Sequence, residues 1–97
     1  MGPERLSEDQ IQENLKSIPG WALKMGEITR LYKFKDFVDS MNFVNQVAQL
    51  AEQADHHPDI FIQYNKVVLT LSTHSASGLT QKDFQLAKEI DLPGNRS

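Results

Sequence analysis

Apolar residues recur along this chain at two spacings, and the spacing switches where the element switches. Ile11, Leu15 and Ile18 repeat at helical intervals. Ser7 with Gln10 forms a capping-box pattern ahead of them, Leu6 with Ile11 is a candidate hydrophobic staple, and Pro19-Gly20 stops the helix. Trp21 to Met25 and Ile28 to Phe34 read as two strands joined by a turn at Gly26-Glu27. Asp36 is the expected N-cap of the longest element, Phe37 to Asp55. Two short runs follow, Asp59 to Tyr64 and Lys66 to Thr73, meeting at Asn65. Ser75 to Gly78 reads as a loop. Thr80 with Asp83 repeats the cap pattern, Phe84, Ala87 and Ile90 continue as a helix, and Pro93-Gly94 ends it. Met1 to Arg5 is expected to be a disordered lead-in, and the tail is polar.

The order helix, two strands, helix, two strands, helix predicts an α+β fold. Two hairpins separated by a helix suggest a four-stranded antiparallel sheet with three helices on one face. The other face should carry Phe61, Gln63, Val68, Thr70, Ser72 and His74. There are no repeats and no linker, so residues 1–97 are expected to form a single domain.

The long helix has more apolar surface than one packing partner needs. Phe37, Met41, Val44, Ala48 and Ala51 form one stripe, and Phe43, Val47, Leu50 and Ala54 form a second beside it. Together they cover about half the circumference, against the stripe of about 100° that typically faces a core. A helix sunk deep in its own core is one reading. The favoured one packs one stripe on the sheet and the other, centred on Val47 and Leu50, on a partner helix, because so short a chain has little of its own to cover both.

All three histidines lie between Glu52 and His74. A hairpin with the loop Asn65-Lys66 sets Tyr64 opposite Val67, Ile62 opposite Leu69 and Ile60 opposite Leu71. Continued outward, His57 falls opposite His74 with His56 beside them, so three imidazoles and the carboxylates of Asp55 and Glu52 should converge at the open end.

Composition narrows the function. The net charge of -3 gives no electrostatic footprint for direct nucleic-acid binding. With no cysteine, disulfide and thiolate chemistry are excluded. There is no membrane-spanning run and no signal-peptide core, which makes a cytoplasmic location the expectation, with a nuclear pool added if the source is eukaryotic.

The motif Glu52-x-x-x-His56-His57-Pro58, then Tyr64, His74 and Asp83 at their spacings, resembles the signature of the pterin-4a-carbinolamine dehydratases. The similarity extends to Gly20-Trp21, Phe34-Lys35-Asp36-Phe37, Tyr64-Asn65-Lys66-Val67 and Gly78-Leu79-Thr80, from about Leu6 to Ile90. The resemblance implies a helices-on-sheet fold and dehydration of 4a-hydroxytetrahydropterin to quinonoid dihydropterin, a step in tetrahydrobiopterin recycling. It implies a tetramer, and the expectation for this chain is a homodimer or homotetramer through the long helix and sheet edges. In some relatives it implies a second role as dimerisation cofactor of a homeodomain transcription factor. Carried onto this chain, the catalytic residues are His56, His57 and His74. Substrate contacts fall to Asp55, Glu52, Ser72 and Thr73, with Trp21 at the site edge and Asp83 a further candidate. Ile60 and Ala76 depart from residues found in some relatives, which bears on the partner-binding role more than on the acid-base set.

Imidazole can donate or accept a proton near neutral pH, which suits loss of water from a carbinolamine. No cofactor is expected, since pterin is the substrate and no electrons pass to a carrier. Three histidines also suit zinc with an open fourth position. Adjacent His56 and His57 point apart at a helix end unless the backbone breaks there, as Pro58 can force it to, and the dehydration needs no Lewis acid, so the expectation is that no metal takes part. Trp21 is read as core before it is read as a ligand lid, and Glu52 and Asp55 equally as solvated charges.

Overall fold

A computed structural model describes residues 4–92. The first residues of the expected lead-in, the Pro93-Gly94 stop and the polar tail lie outside the described residues. The elements are α1 (Glu8–Leu15), β1 (Ala22–Lys24), β2 (Glu27–Lys33), α2 (Phe37–Ala54), β3 (Asp59–Gln63), β4 (Lys66–Leu71), a 3₁₀ turn (His74–Ala76) and α3 (Gln81–Ile90). Four antiparallel strands run in the order β1-β2-β4-β3, with the three helices on one face, so the expected α+β architecture is the observed one. Among the described residues no helix is long and apolar enough to cross a membrane.

Alternation decides which side chains are buried. Ile28 and Tyr32 of β2 and Val67, Leu69 and Leu71 of β4 point to the helices and are buried. They meet Phe43 and Val47 of α2 and Phe84, Ala87 and Ile90 of α3. The opposite face holds Leu31, Val68 and Phe61 side by side across three strands, half-buried or exposed, among Thr29, Thr70 and Gln63. Helix ends follow their caps. Ser7 and Gln10 close a reciprocal capping box on α1, and the Asp36 carboxylate accepts the Asp39 amide at 2.9 Å on α2.

Both hairpin loops sit one residue earlier than the sequence suggests. The first turn is Met25-Gly26 rather than Gly26-Glu27, with Lys24 opposite Glu27. Met25 and Gly26 both have positive φ, 52° and 79°, the combination a two-residue type I′ turn requires. The second turn is Tyr64-Asn65 rather than Asn65-Lys66. Asn65 decides it. Its Nδ2 donates to the Phe34 carbonyl at 3.1 Å, and its own carbonyl accepts the Phe34 amide at 2.8 Å. That anchor leaves Lys66 as the first residue of β4, paired with Gln63 and Lys33. Ile62 now faces Val67 and Ile60 faces Leu69. The slide is two residues, so every side chain keeps its face. The predicted pairing of His57 with His74 does not form. The ladder stops at Asp59 opposite Thr70, and His74 has left the strand for the 3₁₀ turn.

The two stripes of α2 do not divide as expected, because the core takes Phe43 and Val47 of the second together with Ala51 of the first. Phe43, Val47 and Ala51 are buried in the chain's own core, along with Ser40, whose hydroxyl donates to the Asp36 carbonyl. Phe37 and Val38 are exposed, and Met41 and Val44 are only partly covered. Val44, like Leu50 and Ala54, still packs against the core, so the apolar surface that α2 leaves uncovered is Phe37, Val38 and Met41 at its N-terminal end, not the stripe centred on Val47 and Leu50.

Candidate active site

The site begins where α2 ends. Asp55 adopts the left-handed conformation at φ 50°, and the chain closes a double backbone bond there: the Asp55 amide donates to Glu52 and the His56 amide to Ala51. This is a Schellman arrangement, which reverses the chain sharply after the last helical turn. The reversal sends the two adjacent histidines opposite ways. His56 turns inward and is buried; His57 stays outside, its Nε2 2.6 Å from the exposed Glu52 carboxylate. Asp55 is exposed, and among the described residues its side chain makes no hydrogen bond.

His56 meets Asp83, with Nε2 2.5 Å from Oδ1. Asp83 is fully buried and serves two structures at once. Its Oδ2 accepts the Thr80 amide at 2.9 Å, completing the N-terminal capping box of α3, and accepts the Thr73 hydroxyl at 2.8 Å. Thr80 Oγ1 lies 2.8 Å from Thr73 Oγ1 and accepts the Lys82 amide. If Thr80 donates to Thr73 and Thr73 to Asp83, every group in this buried network has a partner, as low-dielectric surroundings demand. An Nε2–H donated to Asp83 fixes the imidazole tautomer and leaves Nδ1 with a lone pair.

Thr73 links this network to His74. Thr73 and Gly78 exchange backbone bonds, at 2.9 and 3.3 Å, and close the loop that displays His74 to solvent. His74 lines an open cavity of about 580 Å³ with Ser72, Thr73, Glu27, Met25 and Arg5. His56 lines a separate cleft of about 340 Å³ with Lys82, Gln85 and Leu86. Both lie in the size range of small-molecule sites. The structure thus brings His56 and Asp83 together and joins them to the backbone next to His74. It does not stack three imidazoles on one wall, and it gives His56 and His57 different partners on opposite sides of the chain.

Trp21 stands apart from the histidines. It is buried, edge-on to Tyr32, and its Nε1 donates to Asp91 Oδ2 at 2.7 Å. Asp91 also accepts from Arg30 at 2.8 Å and from the Tyr32 hydroxyl at 2.6 Å. It caps the C-terminal end of α3, eight residues past Asp83 or about 12 Å along the axis. The sequence pattern carries no signal for Asp91 or Arg30, nor for the bond of the Thr80 hydroxyl to Thr73. Thr80-x-x-Asp83 reads as a helix cap, and nothing local in that pattern signals that the same carboxylate also holds a histidine 27 residues away.

Fold and geometry together define a class: a small α+β protein with a buried His–Asp pair at a helix end and a second histidine displayed over an adjacent cavity. The chain belongs to the pterin 4 alpha carbinolamine dehydratase family, whose profile matches residues 4–92. It is 51% identical over 87 residues to a protein of Picosynechococcus sp., covering 90% of this chain and 95% of the other, and 53% identical over 87 residues to one of Acidobacterium capsulatum, with the same coverage. A Sulfolobus acidocaldarius protein is 45% identical over 87 residues, covering 90% and 96%. All three carry pterin-4-alpha-carbinolamine dehydratase as a provisional name. Among solved structures, the Brucella melitensis protein described as a transcriptional coactivator/pterin dehydratase superimposes with a TM-score of 0.89 at 38% identity, over 97% of this chain and all of that one.

Proposed function

We propose that this chain, acting as one domain, dehydrates a 4a-hydroxytetrahydropterin by histidine acid-base catalysis, as a step in tetrahydrobiopterin recycling. The observation that carries the reading is the buried pairing of His56 with Asp83, tied through Thr73 to the backbone that presents His74. Family membership supplies the substrate class.

The reaction needs two proton movements. An acid protonates the departing hydroxyl on C4a, and a base removes the N5 proton. The C4a–O and N5–H bonds break, a C4a=N5 double bond forms, and water leaves. No electrons pass to a carrier, so the reading includes no cofactor. His56 and His74 transfer the protons and His57 binds, with Glu52 steadying its ring. Asp55, Ser72 and Thr73 contribute pterin contacts. Asp83 orients His56 rather than touching the substrate, as a buried carboxylate behind a working histidine does.

A dehydration assay on the carbinolamine tests this. Wild type should turn over, and His56→Ala and His74→Ala should each lower kcat/KM by about tenfold or more, in keeping with the worth of a positioned proton transfer. His57→Ala should chiefly raise KM. Full activity in both of the first two variants would refute the assignment.

A second reading concerns assembly. The uncovered apolar surface of Phe37, Val38 and Met41 suits a homodimer or homotetramer built on α2, or pairing with a dimerisation segment of a transcription factor. The coactivator description of the Brucella melitensis relative favours keeping the latter beside the enzyme.

A further inference from the structure

The geometry points to Glu27 as the residue that recognises the 2-amino edge of the pterin, with Ser72 as its positioning partner. This rests on the dehydratase reading above and adds a specificity determinant to the cavity that His74 lines.

Glu27 opens β2 directly after the Met25-Gly26 turn, opposite Lys24. The turn carries β2 back beside β4, whose continuation brings Ser72 to Glu27: Ser72 Oγ donates to Glu27 Oε2 at 3.1 Å. Among the described residues that is the one side-chain hydrogen bond Glu27 makes. A carboxylate has about four acceptor positions, so most of its capacity remains open. The side chain is half-buried and lines the cavity that His74 also lines. A half-buried carboxylate held by a neutral hydroxyl, with no ion pair to a cation among the described residues, has acceptor capacity open to donors.

The pterin ring provides them. Its N3–H and 2-amino group lie side by side on one edge, a cyclic guanidine whose two parallel N–H bonds match the two oxygens of a carboxylate, as in the fork-to-fork pairing of arginine with carboxylates. The reacting atoms, C4a and N5, lie towards the other side of the fused ring. Ser72 and His74 are two residues apart along extended chain, roughly 7 Å at the rise of a strand. That separation is of the order of the ring's own width. A pterin gripped by Glu27 at its pyrimidine edge would therefore lay its reacting side towards His74. Nothing in the chemistry of dehydration requires this carboxylate, so its role is to choose the ring and hold it.

The test separates binding from chemistry. Fluorescence titration with biopterin and with its 2-oxo counterpart, the corresponding lumazine, reports the Kd of each for wild type, Glu27→Ala, Glu27→Gln and Ser72→Ala. Wild type should prefer the 2-amino ring by about tenfold or more. Glu27→Ala should lose that preference and raise both the biopterin Kd and the carbinolamine KM about tenfold, with kcat within twofold of wild type. Glu27→Gln, which keeps one acceptor and adds a competing donor, should fall between, and Ser72→Ala should lose less than Glu27→Ala. A circular dichroism melt confirms that each variant is folded. Wild-type turnover with unchanged ring preference in Glu27→Ala would overturn this assignment alone. A folded wild type that neither binds biopterin nor dehydrates the carbinolamine would overturn the dehydratase reading and the assignment with it.

Discussion

His56 Nε2 lies 2.5 Å from Asp83 Oδ1, and the pair is enclosed, with the imidazole 10% exposed and the carboxylate not at all. One residue follows the end of α2 and the other sits in the first turn of α3. The contact therefore holds two helices together as well as orienting a ring. Asp83→Asn keeps the shape but replaces one acceptor oxygen by a donor. We expect kcat/KM to fall about 10²-fold, at the low end of what a positioned proton transfer contributes. Stability should fall by about 1–3 kcal/mol, the cost of unsatisfied buried partners. Steady-state assays and urea unfolding check the two effects. A folded Asp83→Asn protein with full activity would leave the pair a purely structural one.

Asp55 separates a backbone role from a binding role. Its left-handed conformation is the reason His56 and His57 diverge. Glycine adopts that conformation without strain, though at an entropic cost in the unfolded chain, and the two effects are of similar size. Asp55→Gly should therefore unfold within about 0.5 kcal/mol of wild type while raising KM for the pterin severalfold. Unchanged KM would show that the carboxylate is only solvated surface.

The corrected faces of α2 give opposite outcomes for similar changes. Val47 is 1% exposed, so Val47→Glu should cost several kcal/mol and abolish the folded circular dichroism spectrum. The double change Phe37→Glu with Met41→Glu lies where α2 is exposed or only partly covered and should leave the fold intact. Light scattering should show the wild type as an oligomer and the double variant as a smaller species. A wild type that is monomeric at micromolar concentration would dispose of the interface.

Asp91 gathers Trp21, Arg30 and Tyr32 at the far end of α3. Asp91→Ala leaves the buried Trp21 N–H without its acceptor and removes the ion pair of Arg30. We expect a stability loss of about 2 kcal/mol by thermal or urea unfolding. The dehydration kcat/KM should stay within twofold of wild type. A large rise in KM instead would return Trp21 to the edge of the substrate site.

The sequence by itself determined the elements, their order, their N-terminal caps and, for β3 and β4, which residues share the helix-facing side. These follow from local rules: a hydroxyl or carboxylate three residues ahead of an amide, and apolar spacing of two or near 3.6. Face assignment survived a wrong loop because a slide of two residues preserves alternation. Only the tertiary structure decided the register, since Asn65 is held by Phe34, 31 residues away. It decided which stripe of α2 is buried, because two stripes of nearly equal apolarity do not rank themselves until sheet and α3 close on one of them. It also decided the divergence of His56 and His57 and the meeting of His56 with Asp83. Those depend on one left-handed residue and on the docking of α3 against α2, and spacing along a chain encodes neither.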